Sequence, residues 1–317
     1  MTALPRDLRP MLATAGALPP DDPAWAYEVK WDGVRVLAAV QDGRVRLTSR
    51  VGNDVTGGYP ELTALADALA APVLLDGEVV ALSAAGVPDF GRLQSRLHVR
   101  APSAALRAST PVTFVVFDLL HLGGSSLLDE NYDTRRGSLE SLGLAGPHWQ
   151  VPPAFLGEGA AVSQATRAQG MEGVVAKRRN SRYEPGRRSA CWVKVKHVRR
   201  TSAVVVGWKP GEGGRAGRLG SLLLGVVEGG RLVFAGHVGT GFSVATLALL
   251  GDRLDPLRRA EPALDDVPRE HARRAVWVEP VLVCDVEFTE WTATGRLRHP
   301  SFKGLRDDVD PGAVVPE

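Results

Sequence analysis

The chain is poor in cysteine, lysine and aromatic residues. Two cysteines, Cys191 and Cys284, are too few for a disulfide framework or a four-thiolate zinc site. No apolar run approaches the roughly 20 residues a membrane-spanning helix requires. The opening MTALPRDLRPML has neither the charged start and apolar stretch of a secretory signal nor the Ser/Arg bias of a transit peptide. There is no internal repeat, and only Gly211–Gly217 resembles a low-complexity loop. These absences point to a soluble cytoplasmic protein with no membrane attachment and no structural metal. What is present is ordinary: 317 residues, 44% hydrophobic and 23% charged, enough for a real core. At about 150 residues per domain, two domains are expected.

The net charge of +2 says little, but its make-up says more. Of 38 basic residues, 32 are Arg and six are Lys: Lys30, Lys177, Lys194, Lys196, Lys209 and Lys303. Arginine keeps its proton (pKa above about 12), whereas a desolvated lysine amine can become a nucleophile. In so arginine-rich a chain, a lysine marks either a place where an amine is needed and a guanidinium fails or a residue scattered by chance.

Residues 25–50 read as consecutive short strands with a turn at Gln41-Asp42-Gly43. Alternation puts Lys30 and Asp32 on one strand face. Helical spacing is expected over 60–70, 90–97 and 132–142. Strands are expected at 73–82, interrupted by Asp76-Gly77, at 112–120, buried on both faces, and at 173–176 and 191–195. Beyond residue 198 the pattern changes to strands at 203–208, 221–227, 231–237 and 281–291 parted by Gly-rich turns, with one helix at 244–254. That is the pattern of a small β-barrel such as an OB-fold.

Lys30-Trp31-Asp32-Gly33-Val34-Arg35 is the most informative stretch, although alone it would pass for a solvated strand edge. Four further segments follow: Asp76-Gly77-Glu78, Phe114–Leu120 (FVVFDLL), Glu172–Lys177 (EGVVAK) and Trp192–Lys196 (WVKVK). Together and in this order they resemble the motifs of the covalent nucleotidyltransferases, which include DNA ligases, RNA ligases and mRNA capping enzymes. PDFGRLQSRL (88–97), YEPGRRSACWVKVKH (183–197) and LRHPSFKGLR (297–306) are most similar to bacterial ATP-dependent DNA ligases of the end-joining type. The resemblance covers nearly the whole chain. It implies an α/β nucleotidyltransferase (adenylation) domain over 1–197, followed by an all-β OB-fold domain over 198–317.

The chemistry suits these residue types. A neutral lysine amine can attack the α-phosphorus of ATP and hold AMP as a phosphoramidate, dividing one hard transfer into easier steps. The resemblance makes Lys30 that nucleophile, with a pKa that must fall below about 10.4. Lys194, Lys196 and Arg35 would offset charge developing on phosphate oxygens. Glu28 would read the adenine amino group and Glu78 the ribose hydroxyls. Phe117 and Val175 would sandwich the base. Asp32 and Glu172 would position Mg²⁺ or Mn²⁺, because magnesium takes few carboxylates and keeps several waters. Arg50 and one of Arg187 or Arg188 would hold a phosphate of the nucleotide or the nick.

Ten basic residues lie between Lys177 and Arg200, with Glu184 the single acid. Set between two motifs, this run is expected to grip a DNA backbone through Arg178, Arg179 and Arg187. Arg296, Arg298, Lys303 and Arg306 form a second basic cluster. No base-reading motif accompanies either, so binding would follow backbone shape and salt rather than sequence.

One departure stands out. The family's final motif has the form Arg-x-Asp-Lys and orients the pyrophosphate of ATP, whereas this chain reads Arg306-Asp307-Asp308-Val309. The resemblance thus implies a DNA ligase in repair, monomeric, using ATP on nicked or broken double-stranded DNA with end-joining proteins as partners. An RNA ligase, a capping-type enzyme, or a nucleic-acid binder that has lost catalysis are the alternatives. In 317 residues no appended polymerase, nuclease or large N-terminal DNA-binding domain is expected.

Overall fold

The computed structural model describes residues 4–5, 7–211, 219–292 and 294–316; most of the expected 211–217 loop lies outside them. The chain forms two compact units, Met1–His197 and Val198–Glu317.

The first unit contains two sheets. Its five-stranded sheet runs in the order Leu12–Ala15, Arg188–Lys196, Gly173–Arg178, Trp25–Lys30, Phe155–Leu156. The seven-stranded sheet is built on Arg44–Ser49, Val34–Gln41, Val73–Val80 and Thr113–Leu122 in that order, with short strands beyond. Each sheet buries one face separately. Tyr27, Val174 and Ala176 pack with Val162 of the helix Gly159–Ala168. Val36, Ala38, Leu75, Val79 and Phe114 pack with Leu62, Leu93 and Leu139 from the helical segments. A third cluster, in which Met11, Leu37, Phe117, Tyr183 and Trp192 meet, joins the sheets.

Several expectations are corrected. The strand at 73–80 is continuous through Asp76-Gly77, and the irregularity lies in its partner. Asp76 pairs with Asp118 and Gly77 with Val116, so Phe117 is the extra residue of a bulge, a device that re-aims a side chain. The segment after Pro60 is a 3₁₀ helix, Pro60–Ala64, that continues for only one α-turn, Leu65–Ala68. The helix Gly159–Ala168 was not expected. Its buried positions are Gly159, Val162 and Thr166, only one of them a large hydrophobe, so the apolar period is silent. Strand Trp25–Lys30 ends at Lys30, which leaves Asp32 beyond it rather than on a shared strand face.

The second unit is one curled antiparallel sheet. Strands Arg231–Val238, Leu219–Glu228, Arg199–Pro210 and Val276–Phe288 follow one another, and Ser301–Arg306 pairs with the last. Hydrogen bonds from Leu297 N–H to Ala235 O (2.8 Å) and from Phe302 N–H to Thr240 O (3.0 Å) tie the two ends together. Curled in this way, the sheet encloses one core, here around Val204, Leu223, Phe234, Val283 and Phe288. The helix Val244–Leu254 begins where the Ser243 hydroxyl accepts from Thr246 N–H.

Candidate active site

Sheet register assembles the site. Lys30 pairs with Gly173 and Gly173 with Lys196; Glu28 pairs with Val175 and Val175 with Lys194; Lys177 pairs with Trp192. Directly opposed residues share a face, and so do alternate residues along each strand. One face of the five-stranded sheet therefore carries Glu28, Lys30, Val175, Lys177, Trp192, Lys194 and Lys196. The seven-stranded sheet contributes Arg35, which pairs with Glu78, and the bulged Phe117. Between them lies a cleft of about 190 Å³ lined by Glu28, Lys30, Arg35, Arg50, Glu78, Phe117, Val175, Arg188 and Lys194, together with Lys177 and Trp192. Gly33 is obligatory at the entry: a Cβ there would fall 2.2 Å from Val79 O.

At one end of this face Glu172 bridges two lysines. Lys30 donates to one carboxylate oxygen, and Lys196 Nζ lies 2.8 Å from the other. Burial pushes this carboxyl upward, but the two ammonium groups outweigh it and hold Glu172 below its ordinary pKa. His197, next to Lys196, fastens the arrangement. Its N–H donates to Glu172 O at 2.9 Å, and its ring is 2.8 Å from Thr166 Oγ1 in the unexpected helix. Lys194 has the opposite environment. Burial and the surrounding cations Lys30, Arg188, Lys196 and Arg50 all lower its pKa.

Arg35 is held from behind by Asp76, in a two-point pair of 2.5 and 2.6 Å, and its guanidinium carbon lies 4.5 Å from the centre of the Phe117 ring. Tyr183 completes this support, donating to Asp76 at 2.6 Å and accepting from Met11 N–H at 2.9 Å. Glu78 has no such partner among the described residues. Burial pushes its carboxyl up to about 8, which Arg35 and Lys30 only partly oppose.

Lys177 and Trp192 belong to the quoted motifs, but the sequence assigned them no role. Lys177 is buried, 2.8 Å from Glu28, and donates to Phe117 O at 3.2 Å. Its ammonium lies 4.7 Å from the Phe117 ring centre and 4.4 Å from that of Trp192, an aromatic cage for a cation. Burial is the main influence and lowers its pKa against the pull of Glu28. The signal that could have found Lys177 is lysine scarcity itself. Glu28 lines the cleft but is committed, since Tyr132 also donates to it at 2.6 Å. An ionised carboxylate has about four acceptor sites, so a further donor can still reach it.

The remaining expected residues divide. Arg187 is exposed on the strand entry beside Arg188, and Arg178 lies exposed over Trp25. Arg179 is clasped by Asp133 (2.8 Å) and by Pro23 O (2.8 Å). The second basic cluster is a set of ion pairs: Lys303 with Glu287 (2.6 Å), Arg298 with Glu290, and Arg306 with Asp285 (3.1 Å) and Asp308 (2.8 Å). Val309 packs against the barrel core. Asp32 is not part of the cleft lining.

A lysine lining a cleft, with more lysines and an arginine converging on it, is the arrangement a covalent nucleotidyltransferase centre requires. Comparison with known proteins narrows the class. Residues 10–196 match the ATP dependent DNA ligase domain, and residues 215–309 match the ATP dependent DNA ligase C terminal region. The chain belongs to the ATP-dependent DNA ligases. It is 46% identical over 314 residues to the multifunctional non-homologous end joining DNA repair protein LigD of Mycobacterium tuberculosis, covering 98% of this chain and 40% of that protein. The chain thus spans about two fifths of the length of such relatives. DNA ligase C1 of Mycolicibacterium smegmatis is 33% identical over 330 residues, covering 97% of this chain and 92% of that one. Among solved structures, the ligase domain of M. tuberculosis LigD is 44% identical with a TM-score of 0.57, covering 98% of this chain and 99% of that one. A mycobacterial DNA ligase D complexed with ATP and MES is 45% identical with a TM-score of 0.58, at the same coverage.

Proposed function

We propose that this ligase seals nicks and breaks in double-stranded DNA during end-joining repair, through an AMP adduct on Lys30. The observation that carries the reading is the Lys30–Glu172–Lys196 bridge at the cleft that also holds Arg35, Glu78 and Lys194. The amine of Lys30 is freed when Glu172 turns to another partner. It attacks the α-phosphorus of ATP, the bond from that phosphorus to the bridging oxygen breaks, and pyrophosphate leaves with those electrons. The amine sheds its proton and holds AMP as a phosphoramidate. Next, a 5′-phosphate oxygen of the DNA takes the adenylyl group, and Lys30 recovers its electron pair. Finally the 3′-hydroxyl attacks the activated 5′-phosphate and AMP departs.

The other side chains divide these tasks. Lys194 and Arg35, both half-buried, and the more exposed Lys196 stabilise charge on the α-phosphate. Arg50 and Arg188, at the same cleft, take the outer phosphates. Phe117 and Val175 enclose the adenine, Glu28 orients its amino group, and Glu78 binds the ribose hydroxyls.

A divalent cation, Mg²⁺ or Mn²⁺, fits this donor set in one respect only. Among the described residues no three His, Cys, Asp or Glu side chains converge, and magnesium in phosphoryl-transfer sites needs only one or two carboxylates beside substrate oxygens and water. Glu172 would hold it, with Asp32 acting through water. When bound, the ion neutralises phosphate charge. The enzyme works as a cytoplasmic monomer, on the nucleoid when bound to DNA, with end-joining proteins as partners that bring the ends together. The end-joining names of its longer relatives support that assignment.

Incubation with α-labelled ATP or GTP and Mg²⁺, followed by denaturing electrophoresis, tests the chemistry. Label from ATP alone, together with sealing of nicked DNA, is expected. Label from GTP, or no label at all, would defeat it.

A further inference from the structure

At the rim of the cleft, the backbone brings three arginines together. Arg9 O accepts from Gly186 N–H at 2.9 Å, and Leu12 N–H donates to Arg187 O at 2.8 Å, which docks segment 9–12 along 186–188. The Arg9 side chain then reaches the loop after Arg50. Gly52 sits at φ +87°, and a Cβ built on it would fall 1.1 Å from a terminal nitrogen of Arg9. The guanidinium therefore lies in the space a side chain at 52 would take. Arg9, Arg50 and Arg187 are all exposed, and no described carboxylate is in ion-pair contact with any of them. Val51, between Arg50 and Gly52 in the chain, is 68% exposed.

Gathering like charges without acids costs energy unless an anion completes the group. An exposed apolar side chain in a loop that carries one arginine and receives the guanidinium of another matches alternating sugar faces and phosphates. Resting on the reading of this protein as a DNA-sealing enzyme, we propose that Arg9, Val51 and Arg187 form a docking surface for the DNA sugar–phosphate backbone next to the reacting phosphate. Arg9 is its anchor, and Gly52 exists to seat it.

The test is nicked-duplex binding by the full chain across a salt series, for wild type, Arg9→Ala, Gly52→Ala and Arg107→Ala, with melting curves to show that each folds. Arg107 is exposed on the helix Ala104–Ser109, away from these loops in sequence. Losing one phosphate contact lowers the slope of log affinity against log salt by roughly 0.9. Arg9→Ala should show that drop, and Gly52→Ala, which keeps the charge but evicts the guanidinium, should show a partial one. Arg107→Ala should match wild type. A folded Arg9→Ala protein with the wild-type slope overturns the surface, and so does a drop of equal size in Arg107→Ala. Wild type that takes no AMP label or does not bind nicked DNA would instead strike the reading beneath it.

Discussion

In the N-terminal unit, Arg9, Arg50 and Arg187 stand exposed with no described carboxylate in ion-pair contact. In the C-terminal unit, Arg296, Arg298, Lys303 and Arg306 each hold one. Both groups are basic in sequence, but their partners differ. Exposed ion pairs add only about 0–1 kcal/mol of stability, yet they neutralise the field a phosphate backbone would feel. Positive charge acts on DNA only where the fold leaves it uncompensated. On this comparison the proposed electrostatic grip, like the proposed chemistry, belongs to the N-terminal unit.

The largest test of the contrast is Lys30→Arg. A guanidinium keeps both charge and proton, so covalent AMP labelling should vanish while a pre-adenylated nick is still joined slowly. Labelling at the wild-type level would move the nucleophile out of the cleft.

Glu78 offers the next largest effect. Its folded pKa of about 8 lies above the ordinary 4.5, so the folded state retains a proton that the unfolded chain has released. The associated stability is full below about 4.5 and is lost as pH rises through about 8. The Tm gain of Glu78→Gln over wild type should accordingly be larger at pH 9 than at pH 6. If the ribose hydroxyls donate to an ionised Glu78, ATP affinity of wild type should rise over the same range. A flat profile would show that Glu78 does not titrate there.

Paired and unpaired arginines can be compared directly by salt titration of nick binding. Arg187→Ala should reduce the slope by roughly 0.9, whereas Arg179→Ala and Lys303→Ala should each change it by much less. Equal reductions would mean that the ion pairs open on DNA, and the contrast between the units would fall.

The smallest expected change is at Val309. Its packing against the barrel core gives an apolar residue a local reason to stand at that position. Val309→Lys should lower Tm by a few degrees, in line with about 1 kcal/mol in a domain of this size. A charge-assisted phosphate contact is worth roughly 1.5–3 kcal/mol. Self-adenylation should therefore accelerate by one to two orders of magnitude if the new ammonium reaches pyrophosphate. Single-turnover labelling decides, and an unchanged rate would mean that this segment does not touch ATP.

Much of the site was legible because short motifs on strands preserve alternation. Glu28 and Lys30 two apart, and Lys194 and Lys196 two apart, fall on one face whatever the rest of the chain does. Phe117 was legible as a motif residue, but its orientation was not, because it depends on a bulge opposite Gly77. Arg179 was assigned to DNA from the basic run it lies in, and its pairing with Asp133, 46 residues away, was not legible there. Lys177 went without a role because its cage of Phe117 and Trp192 comes from two other strands.

By itself, the sequence determined the β-rich change of pattern after residue 198, the strand-borne motifs and the residue types able to form and stabilise a lysyl adduct. These are local properties, set by side-chain period and intrinsic chemistry. Only the tertiary structure decided which charges are cancelled, which lysines share Glu172, and that Glu78 is left half-buried without a hydrogen-bond partner among the described residues. Those outcomes depend on distances between residues remote in sequence, and both Coulomb energy and desolvation are functions of distance and burial.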